Sequence, residues 1–461
     1  MSLDGALARI DAGLDQSLSR LFDLIRLKSI SADPAFAADV RAAGEWCTRE
    51  LTSLGFEASL RDTPGHPIVV AHWTGAVANP DRHVLFYGHY DVQPVDPLNL
   101  WNAVPFDPKI EDRDGVKVIT GRGSADDKGQ LLIFIEACRA LIAEEGRLPV
   151  KVTVLLEGEE ESGSPSLEPF LAANAAELSH DLALICDTNM WERGRPAITA
   201  SLRGLVGEAV TIRCADRDLH SGLFGGPAWN PIRVLTKILA SLHDDTGRVT
   251  LPGFYDGVPE VPAEVRASWE TLGTSTESFL APVGLKSLAG EKGLTVLEQV
   301  WARPTCEFNG VVGGYTGDGF KTVLPAKASA KVSFRLVGAQ NPEKIRAAFR
   351  ERVRSMLPPE GQVEFHPHGG SPGFAMPYDS PWLKAGLAAL SEEWATPAVV
   401  IGGGGSIPVG EAFQRILAMP SLFVGFGLDD DRIHSPNEKY DLESFHKGLR
   451  SWARILTKLG E

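Results

Sequence analysis

His83-Val-Leu-Phe-Tyr-Gly-His-Tyr-Asp91 and Val150-Lys-Val-Thr-Val-Leu-Leu-Glu-Gly-Glu-Glu-Glu-Ser162 decide the fold. Each opens as an apolar, β-branched run of strand length and closes on polar residues. Residues 182–186 (Leu-Ala-Leu-Ile-Cys) repeat the pattern ahead of Asp187. Between the first two runs, Leu131, Phe134, Ile135, Cys138, Leu141 and Ile142 recur at helical spacing. Buried strands alternating with helices predict an α/β domain whose central sheet is mostly parallel. Upstream, Leu7, Ile10, Leu14, Leu18, Leu21 and Ile25 mark an opening amphipathic helix.

The texture changes after Arg203-Gly204. Val206, Glu208, Val210 and Ile212 begin a new strand, and a helix follows from Pro231 to about Leu242. Ala330, Val332, Phe334 and Leu336 alternate with Lys331, Ser333 and Arg335, which predicts a strand buried on one face. His366-Pro-His-Gly-Gly-Ser-Pro372 reads as a hinge, and residues 421–426 as a further core strand. The expected organisation is a discontinuous catalytic domain, 1–205 and 372–461, interrupted by an inserted α+β domain, 206–371.

A chain of 461 residues has room for two or three domains. Its 45 Lys and Arg against 60 Asp and Glu leave a net charge of −15, which disfavours nucleic acid and anionic membranes as partners. Five scattered cysteines without a C-x-x-C pair exclude a disulfide framework or cysteine zinc site and fit a reducing cytoplasm. The acidic N-terminus does not read as a secretory signal, and the apolar runs fall far short of the ~18 residues that suggest a membrane span.

Four clusters follow predicted strands, at the sheet edge where open parallel sheets bind ligands. The first is Gly88-His89-Tyr-Asp91, a histidine with a carboxylate two residues on. That pair alone suits a hydrogen-bonded core histidine as well as a metal ligand. The second is Gly121-Arg-Gly-Ser-Ala-Asp126-Asp127-Lys128-Gly129, ahead of a helix. It lacks the Walker spacing, which excludes phosphate cradling, and its plain alternative is an Asp helix cap beside a solvated lysine. The third is the acidic run 157–161. Carboxylates crowded after a buried strand are costly unless cations or protons compensate. Asp187 and His434 complete the set. His89, Asp126, Glu161, Asp187 and His434 together suit two zinc-like ions.

Gly-His-Tyr-Asp, Gly-Arg-Gly-Ser-x-Asp-Asp-Lys-Gly, Glu-Gly-x-Glu-Glu-Ser-Gly-Ser and His-Ser-x-Asn-Glu, in this order, resemble the M20 metallopeptidases. That family includes carboxypeptidase G2, acetylornithine deacetylase and succinyl-diaminopimelate desuccinylase. The wording is most similar to the carnosine and cysteinylglycine dipeptidase branch. The resemblance implies an aminopeptidase/phosphorylase-like three-layer α/β/α catalytic domain with an inserted lid that also forms a homodimer.

It further implies that Asp126 bridges two divalent ions of the zinc type, with manganese or cobalt as alternatives. Glu161 and His434 would complete one site, and His89 and Asp187 the other. Glu160 becomes the general base for a metal-bridged water, Asp91 orients His89, and the Asp126–Asp127 peptide is cis. In the lid, His220 reaches the partner subunit's site to polarise the scissile carbonyl. Thr322, Arg335, His368, Gly405 and Ser406 bind the substrate and its terminal carboxylate. Glu159 receives no role. The related dipeptidases carry a glutamate just before Gly-Gly-Ser that holds the free amine, where this chain has Gly403. The expected activity is hydrolysis of dipeptides or short peptides in the cytoplasm. N-acyl-amino-acid deacylation, glutamate-carboxypeptidase activity and an inactive peptide-binding relative are the alternatives.

Overall fold

The computed structural model describes residues 3–404 and 408–461. They divide into two compact units, Met1–Ala200 with Met376–Ile401 and Ala412–Glu461, and Ser201–Ala375 with Gly402–Glu411. None of the described helices is long and apolar enough to cross a membrane.

The first unit is built on a mixed sheet. Strands Phe56–Arg61, Ile68–Trp73, Arg147–Glu157, Ala76–His89, Leu182–Ile185, Ser421–Phe423 and Ala197–Leu202 lie side by side in that order. Only the middle four run parallel, while the flanking pairs are antiparallel. Parallel neighbours need a crossover, and Lys128–Glu145 supplies one between the 76–89 and 147–157 strands. Helices Leu3–Arg26, Lys128–Glu145 and Leu442–Leu459 pack against one another. Phe86 of the sheet stacks on Phe134 at 3.8 Å, and Trp452 meets both rings edge-on. Each such side chain, taken fully from water, contributes about 2–3 kcal/mol.

Two details set the site edge. Gly88 has no side chain where a Cβ would lie 2.9 Å from Asp127 Oδ2 and 3.0 Å from Leu131 Cβ, so the crossover helix can start directly beside the strand. Lys128 is buried rather than solvated. Its ammonium donates to Leu24 O at 3.1 Å and Leu27 O at 2.6 Å, at the end of the first helix, and burial pulls its pKa down to about 7.

In the second unit, strands Thr305–Gly313, Lys327–Leu336, Gly204–Arg213 and Gln362–Ser371 form an antiparallel sheet in that order. Val206, Val210, Ile212, Val332 and Phe334 pack from one face onto helices Pro231–Ala240 and Pro342–Ser355. The stretch expected as a hinge, 366–372, lies instead mostly in the Gln362–Ser371 strand. Proline and glycine are tolerated there because the strand is at the sheet edge, and its register shifts between His368 and Ser371.

Away from the strand ends, three imidazoles converge on one hydroxyl. His72 Nδ1, His83 Nε2 and His180 Nε2 lie 3.0, 2.9 and 3.0 Å from Thr153 Oγ1, and the His83 and His180 rings stack at 3.4 Å. Burial, reinforced by Lys151 and His72 for His83 and by the neighbouring histidines for His180, lowers both pKa values to about 4. Asp181 acts against this from the same side, while Glu177 takes the outer nitrogen of His72 and two bonds from Arg61. Well above pH 6.5 His83 and His180 are neutral folded or unfolded. As pH falls toward 4 the unfolded chain binds protons that the folded pair refuses, so stability is lost over that window. The melting temperature of the metal-free protein should fall less steeply between pH 6.5 and 4 in His83→Gln/His180→Gln than in the parent. Parallel pH profiles for the two proteins would refute this account.

Candidate active site

The parallel strands deliver their C-terminal ends to one edge. His89 ends one, Glu157 ends its neighbour, and Asp187 follows Ile185 on the other side. Of the four acids in the 157–161 run, two are held by contacts within the fold. Glu157 accepts Tyr87 Oη at 2.6 Å, and Glu159 accepts the backbone N–H groups of His66 and Ser166, both at 2.7 Å. Glu159 is thus a buried brace between two loops. The remaining pair, Glu160 and Glu161, turns toward the histidines.

Asp126 is the centre. Its Oδ1 lies 3.1 Å from His89 Nε2, and its Oδ2 lies 2.9 Å from His434 Nε2. Asp187 Oδ2 is 3.9 Å from His89 Nε2, and Glu161 Oε2 is 3.3 Å from His434 Nε2. Two triads result, His89–Asp126–Asp187 and Asp126–Glu161–His434, each with donor atoms within 4.8 Å of one another. Two bonds of 2.0–2.2 Å to a shared ion span at most about 4.4 Å, so either triad closes on a cation with small adjustments. The donors are imidazole nitrogens and carboxylate oxygens, as zinc, manganese and cobalt accept.

The electrostatics agree with the donor chemistry. Burial, then the Asp126 charge, pushes the Asp187 carboxyl well above the carboxylate range. Burial also raises Glu160, with Glu161, Asp91 and Asp126 adding to it against His89. Asp126 goes the other way: burial would raise it, but hydrogen bonds from His434 and His89 hold it well below its ordinary value. Hydrogen bonds to Asp126 and Glu161 lift His434 to about 10. The pocket holds negative charge that wants a cation.

Asp91 is fully buried behind His89. Its oxygens accept the N–H groups of Glu160 at 3.2 Å and Glu161 at 3.0 Å, while His89 Nδ1 faces Asp91 O at 3.2 Å and Oδ1 at 3.4 Å. One carboxylate therefore sets the ring of His89 and the backbone of the two glutamates. The Asp126–Asp127 peptide is cis, as the resemblance implied. Residues without an assigned role at the sequence level complete the frame. Gln93 donates to Glu161 Oε2 at 2.7 Å, Asp127 accepts His89 N at 3.0 Å, and Glu438 holds the loop of Asp126. All three lie inside or next to the quoted motifs, which was the available signal.

The expected substrate residues lie in the second unit. His220 pairs with Val323, next to Thr322, whose carbonyl accepts Ser221 N at 3.1 Å. His220 Nδ1 accepts Gly222 N at 3.0 Å, so its proton sits on Nε2, where it can donate. Arg335 and His368 pair with Leu205 and Gly207 of one strand and share a face of the sheet. Arg203, not singled out before, stands near Arg335. Burial, then the Arg335 charge, lowers its pKa to about 10. At Gly403 a Cβ would lie 2.5 Å from Leu202 Cδ2, so a glutamate would require repacking there. Gly405 and Ser406 lie outside the described residues.

Residues 85–458 match the family described as Peptidase family M20/M25/M40. The chain belongs to this family. It is accordingly a hydrolase of peptide bonds, and family membership together with the two donor triads implies divalent metal ions. The M20 chain is 30% identical to the Cys-Gly metallodipeptidase dug1 of Schizosaccharomyces pombe over 100% of its own length and 98% of that protein's. It is 30% identical to human Beta-Ala-His dipeptidase over 82% of its length and 75% of that protein's. An M20 metallo-carboxypeptidase structure from Sulfolobus solfataricus superposes with a TM-score of 0.75 at 30% identity, covering 96% of this chain and 99% of the other.

Loss of the Asp91 charge should loosen the M20 site without emptying it. Asp91→Asn is expected to lower divalent-metal affinity about 10- to 100-fold, measured by competition with a chelator of known affinity. Affinity equal to that of the parent would show that Asp91 is not an orienting group.

Proposed function

We propose that this M20 chain is a metal-dependent dipeptidase that recognises a substrate through its free terminal carboxylate. The observation that carries this is the division of Asp126 between two histidines, which makes one carboxylate common to two donor triads. His89 and Asp187 would hold one ion with Asp126, and Glu161 and His434 the other, with zinc the first choice and manganese or cobalt alternatives. When bound, such ions polarise an amide carbonyl and make water acidic enough to react near neutral pH.

The remaining work falls to side chains. Burial, with the charges of Glu161, Asp91 and Asp126 against that of His89, raises the pKa of Glu160, which suits a general base. It takes the proton of the attacking water at its carboxylate and returns it to the amine nitrogen as the C–N bond breaks. His220, with its proton on Nε2, donates to the carbonyl oxygen as negative charge grows there. Arg335, with Arg203 near it, provides a cationic end for the carboxylate, Thr322 shares in holding that group, and His368 completes the pocket.

A second copy of the chain fits the outer strand of the lid. Thr305–Gly313 is at the sheet edge and leaves Val311 and Val312 54% and 69% exposed, with Phe320 93% exposed nearby in sequence. The opposite edge is blunted by Pro367 and two glycines. We read the first edge as a homodimer surface through which His220 reaches the partner's site. A cytoplasmic setting fits the five unpaired thiols.

Gly403 favours a second reading. With Leu202 packed where an acid would stand, the amine end of a dipeptide has one partner fewer, so blocked substrates of carboxypeptidase or deacylase type enter. The metal-stripped protein, restored with Zn²⁺ or Mn²⁺, should cleave free dipeptides faster than N-blocked dipeptides or N-acyl amino acids. Cleavage confined to blocked substrates would replace the dipeptidase assignment. Glu160→Gln should lower kcat by about 10²–10⁴ with metal content unchanged. Light scattering should give twice the mass of 49.7 kDa, and a strict monomer would remove the crossing histidine.

A further inference from the structure

Glu438 closes the His-Ser-x-Asn-Glu motif, lies fully buried, and touches no reacting atom. Its two oxygens are fully engaged. Oε2 accepts Arg122 Nη1 at 2.7 Å and Gly123 N at 3.0 Å, and Oε1 accepts Ala125 N at 3.0 Å and Asp126 N at 3.2 Å. Three backbone donors of the loop that ends in Asp126 thus converge on one carboxylate from 312 residues away in the chain.

The other end of this contact carries His434. Strand Lys439–Asp441 pairs antiparallel with Val116–Thr120, and Gly121 N donates to Glu438 O at 3.2 Å. That small sheet brings the two loops together. The His434 loop is held in an unusual backbone path, with φ of 58° at Arg432, 58° at His434 and 68° at Asn437. Non-glycine residues seldom adopt such angles and keep them only where the surroundings enforce it. Here Asn437 accepts Asn102 N at 2.7 Å and donates to Leu100 O at 2.8 Å, and Lys439 is paired with Asp430, Asp431 and Asp441.

We infer that Glu438 is a positioning residue for the Asp126–Glu161–His434 ion site. It sets the loop of Asp126 against the loop of His434, so that Asp126 Oδ2 and His434 Nε2 meet at 2.9 Å. Among the described residues, the side-chain bonds of Glu438 reach the shared Asp126 but neither His89 nor Asp187, while Glu438 itself lies four residues from His434, so its loss acts on both ion sites through Asp126 and most on the His434 side. A buried Arg–Glu pair kept only for stability would be indifferent to which ion is bound. The inference rests on the dinuclear reading of the site.

The test uses the full-length apoprotein and Co²⁺ as the probe, followed by its visible absorption and by chelator competition. The parent should take two equivalents. Glu438→Gln should bind one of them about 10- to 100-fold more weakly and with an altered absorption band, the other changing less. Glu136→Gln is the control, because Glu136 is likewise buried with Ser17, Arg20 and Arg139 but far from the ligands in the hydrogen-bond network. It should lose thermal stability and keep both equivalents. Parent-like cobalt binding by Glu438→Gln, or an equal loss in Glu136→Gln, would overturn the inference. If Glu438→Gln fails to fold, Arg122→Lys, which keeps the charge but not the planar fork, should weaken the same equivalent to a smaller degree. Parent-like binding there would also overturn it. A parent that bound no cobalt would refute the dinuclear reading itself.

Discussion

Everything at the strand ends follows from one crowded charge. Asp126, Asp187, Glu160 and Glu161 stand around two imidazoles, and like charges 4 Å apart at an effective dielectric of 20 repel by about 4 kcal/mol per pair. A few such pairs rival the ~5–15 kcal/mol by which a domain is stable at all. The protein answers by giving each Asp126 oxygen its own histidine and by raising the proton affinity of Asp187 and Glu160. Two divalent cations answer the same need with the same donors. The cluster is therefore a place where the fold tolerates a local cost that binding relieves.

The scaffold is arranged to hold that cost in place. Parallel pairing of the middle strands puts three ends that lead into the donor cluster on one edge, and Gly88 lets the crossover helix begin there without a clash. Behind the candidate ligands, the buried carboxylates of Asp91, Glu159 and Glu438 accept backbone N–H groups rather than facing the pocket. Backbone donors are rigid, so a carboxylate that collects two or three of them fixes a loop more firmly than a single side-chain pair would. This division of acids into braces and ligands separates the unit from a mere acidic patch.

The second unit solves a different problem. Its sheet buries one face on helices and displays Arg335 and His368 on the other, while Arg203 sits near enough to Arg335 to be shifted by it. Two guanidinium groups held together are unfavourable even with the Glu307 charge acting the other way on Arg203, which mirrors the acidic excess of the first unit. One edge of this sheet is closed by proline and glycine, the other left open and apolar.

Much of this was legible in the linear chain. Apolar runs that stop at His89, Glu157 and Asp187 identify buried strands and their ends, because a period-free apolar run of that length has no other stable place. Motif order then named the ligand candidates. Spacing alone could not distinguish the four acids from 157 to 161; the resemblance assigned Glu160 and Glu161 roles and left Glu159 without one, and the backbone groups that Glu159 braces are visible only in the fold. The sequence also misread 366–372, because proline and glycine mark a turn unless the strand they belong to is an edge. Composition and period alone thus determined an α/β chain with an acidic, histidine-bearing sheet edge. Tertiary structure alone decided that Asp126 serves two histidines, that Lys128 is buried, and that Glu438 spans 312 residues to hold Asp126. Those outcomes depend on contacts between segments remote in sequence, and no local propensity encodes them.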